Sequence, residues 1–199
     1  MVTISETDEE TSPWSIRHAK PDEAPQVATF GAMLFRQAYE ATHPEPTLSD
    51  YVAQSFAVTR VAQTLEDPAS TILVVVSGHS SWIAYAELHQ GAPTTVITRP
   101  LPGAAPMEIV RFYVDQPWHG RGVAQYLMNA CEEQARAQGC DALWLQAWQE
   151  ADRALRFYKK VGFGVYGTAV FTFGARADGD LILSRALTVT SEPAFQPGP

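Results

Sequence analysis

Two glycines in three residues, Gly120 and Gly122 of the run His119-Gly120-Arg121-Gly122-Val123-Ala124, stand between an apolar strand and an amphipathic helix. That placement suits an anion. The first N–H groups of a helix lack intrahelical acceptors and the aligned peptide dipoles leave partial positive charge there, so a phosphate is held without a lysine. A side chain at 120 or 122 would restrict φ and keep a ligand phosphate away from the amides. The same Gly-x-Gly spacing also serves plain strand-to-helix connections. Two familiar phosphate loops are excluded by position. Gly122 is followed by Val123-Ala124 and not by Lys-Ser/Thr, so no Walker loop is present, and Gln125 stands where a dinucleotide fingerprint needs its third glycine.

The elements that must carry this turn are legible on both sides of it. Glu108 to Val114 reads as the strand before it, and Gly122 to Gln138 as the helix after it, with Gly139 as its C-cap. Val123, Leu127, Ala130, Cys131 and Gln134 form the stripe expected to pack on a sheet, and Ala142 to Trp148 is the next strand, in a β-α-β crossover with parallel strands. Upstream, Trp14 to Arg17 suits a strand, and Pro25 to Tyr39, Leu48 to Phe56 (capped by Thr47) and Val58 to Leu65 suit helices. Thr71 to Val76 and Trp82 to Leu88 read as a hairpin, followed by an irregular loop over Gly91 to Pro106. Residues 152 to 161 form a short helix, and strands follow at Phe163 to Phe173 and Asp180 to Leu187, joined by a loop over Gly174 to Gly179.

The 199 residues, 46% hydrophobic, suffice for one core, with acidic and proline-containing tails expected to be disordered at 1–13 and 189–199. A formal net charge of −8 opposes nucleic-acid binding and suits a cationic small molecule. The apolar runs are strand-sized, so no membrane partner is expected, and two cysteines without zinc spacing, Cys131 and Cys140, predict buried thiols, no metal and a reducing, cytoplasmic setting.

Taken together, Glu-Ile-Val-Arg-Phe-Tyr-Val (108–114), the glycine turn, Leu-Trp-Leu-Gln-Ala-Trp (143–148) and Arg-Ala-Leu-Arg-Phe-Tyr-Lys-Lys-Val-Gly-Phe (153–163) resemble the GNAT superfamily of acetyl-CoA-dependent N-acetyltransferases. The chain looks most like bacterial PaiA-type polyamine acetyltransferases, through Arg111 to Val114, Leu143 to Leu145 with Trp148, and Phe171 to Gly174 followed by Asp180. The resemblance covers residues 14–188 and implies an α+β fold: a mixed, mostly antiparallel sheet of six to seven strands, with flanking helices and a splayed parallel pair at the cofactor site. It also implies acetyl-CoA as cosubstrate, an amine small molecule as acceptor, and allows a homodimer.

By the same resemblance, cofactor binding falls to Phe112, Tyr113, Val114, His119, Gly120, Arg121, Gly122, Val123 and Ala124, with the Phe112 amide on the thioester oxygen. Deprotonating a lysine-like amine at pH 7 costs about 4–5 kcal/mol, so the reaction needs a base. The resemblance gives that role to Glu108, and gives protonation of the departing thiolate to Tyr158. On residues alone, Glu108 reads equally as a solvated strand start and Tyr158 as a core aromatic. Strict alternation puts Glu108, Val110, Phe112 and Val114 on one face, and Arg111 and Tyr113 on the other as sheet packing. Tyr39, Glu40 and Trp148 would suit a cation but read first as packing. His119 stands where the family carries Gln or Arg, and Ala151 where many members carry Asn. These departures motivate a second reading, a CoA-binding sensor module with little transferase activity.

Overall fold

The computed structural model describes residues 13–187 other than 79, 94–99, 102, 174 and 175. The expected tails at 1–13 and 189–199, apart from Pro13, and the middle of the Gly91–Pro106 loop, lie outside these residues. Among the described residues seven strands form one sheet: β1 (Trp14–His18), β2 (Ser70–Ser77), β3 (Trp82–Gln90), β4 (Pro106–Val114), β5 (Ala142–Trp148), β6 (Gly164–Phe173) and β7 (Arg176–Ala186), in the order β1-β2-β3-β4-β5-β7-β6. All pairs are antiparallel except β4 with β5. Among the described residues five α-helices flank the sheet: α1 (Ala24–Tyr39), α2 (Glu45–Ser55), α3 (Val58–Glu66), α4 (Val123–Ala137) and α5 (Asp152–Lys160). Among the described residues no helix is long and apolar enough to cross a membrane.

Element boundaries follow the sequence reading closely, with two differences. The second helix starts at Glu45 after Pro44, whose fixed φ suits a helix entry, and takes no cap from Thr47. The last strand starts at Arg176, so Arg176 to Gly179 lie in β7 and not in a loop.

Each face of the sheet has its own core. On one face, Leu73, Val75, Ala84, Ala86 and Leu88 meet Leu127, Met128 and Cys131 of α4 and Tyr158 of α5. On the other, Ile72, Val74 and Tyr85 meet Val27, Leu34 and Phe35 of α1, with Leu48 and Val61. Gly31 of α1 permits that second contact, since a Cβ there would lie 2.7 Å from the Phe56 ring and 2.8 Å from the Tyr85 hydroxyl. The buried stripe of α4 is Val123, Leu127, Met128, Cys131, Glu132 and Ala135. Ala130 and Gln134, expected in it, sit at its margin, and the charged Glu132 lies inside it.

Two irregularities in β4 shape the functional region. Its parallel pairing with β5 covers only Pro106, Met107 and Glu108 against Ala142, Leu143 and Trp144, after which the strands splay. In the β3 register, Glu87 faces Arg111 whereas the next residue, Leu88, faces Ile109, so Val110 is an extra residue, a β-bulge. One inserted residue reverses side-chain parity. Met107 and Ile109 therefore share the α4 face with Phe112 and Val114.

Candidate active site

The bulge overturns the strict alternation expected for β4. Phe112 and Val114 pack on the α4 side, whereas Glu108, Arg111 and Tyr113 line one cavity of about 400 Å³ on the side of α1–α3. Arg111 and Tyr113 are thus cavity residues beside Glu108. The solvated reading of Glu108 is also corrected: the residue is 4% exposed, paired in register with His89 of β3 and Trp144 of β5.

Arg111 is held from three directions. Its Nε donates to Glu87 Oε2 at 2.8 Å, one terminal nitrogen donates to the Ser55 carbonyl at 3.3 Å, and its guanidinium lies 4.4 Å from the centre of the Phe56 ring. Four carboxylates, those of Asp67, Glu87, Glu108 and Asp180, line the cavity against two guanidinium groups, Arg60 and Arg111. Tyr39, Tyr51, His43 and Trp148 supply aromatic walls, with the His43 ring edge-on to Tyr39 at 5.3 Å and to Trp148 at 5.5 Å. Gln146 donates to Asp180 at 2.8 Å. Carboxylates and aromatic faces together favour a cation.

A second cleft, of about 750 Å³, occupies the splay on the α4–α5 side. Phe112, Tyr113, Val114, His119, Gly120, Gly122, Ala124, Ala151 and Tyr158 are among its walls. Gly120 and Gly122 hold φ of +75° and +89°, backbone that L side chains rarely adopt, and no atom lies within 4 Å of where a Cβ would project. The cradle is open, and Gly122 caps α4. His119 fastens the turn through Nε2, 2.7 Å from the Val114 carbonyl. Arg121 turns its guanidinium over the Trp118 ring at 5.3 Å, and Val123 is fully buried in the core beneath the turn.

Tyr158 is 7% exposed, edge-on to Phe112 at 6.2 Å and to Phe163 at 5.7 Å. Burial pushes its phenol well above the ordinary tyrosine value, so it stays protonated and able to donate throughout the neutral range. It is both a core aromatic and a wall of the cleft.

Tyr39, Val110, Tyr113, Gln146 and Trp148 border both spaces, so the two meet where β4 and β5 part. Glu108 stands in the first and Tyr158 in the second. The residue reading passed over Arg111, Tyr51, Glu87 and Gln146 as site residues. The aromatic and charged pattern of 108–114 held the signal for Arg111, but only the bulge assigns its side.

The chain belongs to the GNAT acetyltransferase family, whose model matches residues 33–163. An uncharacterized N-acetyltransferase of Mycobacterium tuberculosis is 30% identical over 166 residues, covering 83% of this chain and 98% of its own. Among solved structures, the PaiA N-acetyltransferase of Thermoplasma acidophilum in complex with coenzyme A shares the fold with a TM-score of 0.67 at 15% identity, over 87% of this chain and 98% of that one. A GCN5-related N-acetyltransferase from Rhodopseudomonas palustris gives 0.66 at 18% identity, over 88% and 97%. The enzyme class is therefore acyltransferase. The open glycine cradle at the start of α4 fits the diphosphate of coenzyme A, which the family uses as carrier.

Proposed function

We propose that the protein transfers an acetyl group from acetyl-CoA to the primary amine of a cationic small molecule, with polyamines among the candidates, by direct attack within a ternary complex. The observation that carries this reading is the meeting of two cavities at the β4–β5 splay, one bearing carboxylates and aromatic walls, the other a phosphate cradle. In this reading the acceptor occupies the first cavity as an ammonium ion and gives its proton to Glu108, directly or through water. The neutral amine then attacks the thioester carbonyl, whose oxygen the Phe112 amide holds. Collapse of the tetrahedral intermediate breaks the C–S bond, the Tyr158 hydroxyl protonates the sulfur, and the surplus proton on the new amide nitrogen restores the phenol, while the proton on Glu108 leaves to solvent. The diphosphate lies on the backbone of Gly120 to Ala124, with His119 fixing the turn.

Acceptor identity follows from chemistry only as far as a cation. A polyamine is supported by four carboxylates in the cavity and by the sequence resemblance of 111–114 and 143–148 to PaiA-type enzymes. Thiol release from acetyl-CoA, measured with spermidine, spermine, diamines, amino acids and aminoglycosides, is expected to saturate for at least one polycationic acceptor. Coenzyme A binding without turnover across that panel would instead favour the sensor reading, motivated by Ala151 and His119.

A further inference from the structure

The cations of this acidic protein fall into two groups. Among the described residues, Arg17 is ion-paired with Glu23, Arg36 with Glu45, Arg111 with Glu87, and Arg136 and Arg185 with Glu132. Lys20, Arg60, Arg121, Arg153, Arg156, Lys159 and Lys160 have no such partner among the described residues, and all seven are exposed. Four of them belong to α5, a helix of nine residues, and Arg121 belongs to the glycine turn. Among the described residues, most of the unpaired positive charge thus lies on α5 and the glycine turn. Arg153, Phe157 and Lys160, at i, i+4 and i+7, share one face of α5 and all three line that cleft, with Phe157 stacked 5.6 Å from Phe112. Glu150 and Asp152 also line it, at the opposite, N-terminal end of the helix.

We propose that Arg153 and Lys160, with Arg156 and Lys159 adding to the local field, form a subsite for the phosphomonoester on the ribose of coenzyme A. The subsite would let the enzyme distinguish the phosphorylated carrier from its dephospho form. The inference rests on the reading that this cleft takes acetyl-CoA. Its physical basis is a conflict of charge: the carrier is a polyanion and the protein has a formal net charge of −8. The cradle can neutralise the diphosphate with backbone dipoles, but a terminal phosphomonoester beyond the cradle needs cations of its own. Screening acts over about 8 Å at physiological salt, so only cations beside the cleft matter, and among the described residues those of α5 carry no ion pair. A purely structural role for Lys159 and Lys160 at the helix C-terminus, where they complement the dipole, would affect stability without distinguishing the two carriers.

Calorimetric affinities for coenzyme A and dephospho-coenzyme A decide between these roles, measured on the wild type, Arg153→Gln/Lys160→Gln and the control Lys20→Gln. The wild type and the control are expected to prefer coenzyme A by about tenfold at low salt, and less as salt rises. In the double variant the preference should collapse to within about twofold, with affinity for the dephospho form unchanged within about twofold. A wild type that does not discriminate, or a double variant that still does, overturns the subsite. Binding of neither carrier to the wild type overturns the cofactor reading and the subsite with it. A double variant folded by circular dichroism that loses both carriers equally assigns the cations a general role and also overturns the proposal.

Discussion

Glu108 and Tyr158 stand on opposite sides of the splay, and their proposed labour divides the same way. Glu108→Gln removes a proton acceptor while keeping shape, so turnover is expected to fall about 100-fold near neutral pH. The deficit should narrow as pH approaches the acceptor's own pKa, where the amine needs no base, and the KM for acetyl-CoA should stay within about twofold. A pH–rate profile of unchanged shape would remove Glu108 from the mechanism. Tyr158→Phe should lower turnover by about tenfold or more, and a carrier with a more acidic thiol should recover part of the loss. Because burial raises the phenol pKa, the wild-type rate should show no loss of this acid up to pH 10, where an ordinary tyrosine ionises. A falling limb between pH 8 and 10 that Tyr158→Phe abolishes would contradict the protected environment.

At the level of elements, what the sequence could reveal depended on whether a period ran unbroken. The helices and the crossover through the glycine turn follow from apolar spacing, and the observed strands β1 to β5 lie within a few residues of those expected. Val110 broke the reading. A bulge made of valine carries no glycine or proline signal, so alternation was continued through it and Arg111 and Tyr113 landed on the wrong face. Glu132 escaped for a related reason, since a glutamate in a helix reads as solvated although this one is 7% exposed. Its partner explains its survival there. Arg185 of β7 is paired through one terminal nitrogen with Glu132 Oε1 and through the other with Oε2 at 3.1 Å, and it donates to the Val161 carbonyl at the end of α5 at 2.6 Å. One guanidinium ties α4, α5 and β7 together. Arg185→Met is expected to destabilise the fold by about 2 kcal/mol, because it leaves the buried Glu132 carboxylate with only Arg136, at 3.3 Å, as its charge partner. Adding Glu132→Met should recover most of that loss in urea unfolding, whereas additive losses would show that the pair contributes nothing as a pair.

For the whole molecule, the buried tyrosines set a limit on the alkaline side. Desolvation raises Tyr39 to about 12 and holds Tyr85, Tyr113 and Tyr158 above the ordinary value near 10. Between those values the unfolded chain has given up phenolic protons that the folded one keeps, so stability falls as pH rises through this window and is fully present below it. The urea midpoint should hold steady from pH 8 to 9 and drop from pH 10 upward, as followed by fluorescence. A midpoint unchanged to pH 11 would show that these phenols ionise alike in both states.

The extra residue at position 110 has a consequence of a different kind. A chain that alternates between two compartments behaves like a reading frame, and Val110 is the insertion that shifts it. Conservative replacement of its side chain keeps the frame. Deletion joins Ile109 to Arg111, and plain alternation then keeps Arg111 to Val114 on the faces they already hold, whereas straightening the bulge with Val110 retained would exchange the compartment of each. In that straightened strand a guanidinium and a phenol would enter the apolar layer under α4, and two hydrophobes would enter the acidic chamber. The extra residue and its bulge therefore cancel each other, and a gap at 110 in a relative would mark a regular strand with its two chambers furnished alike.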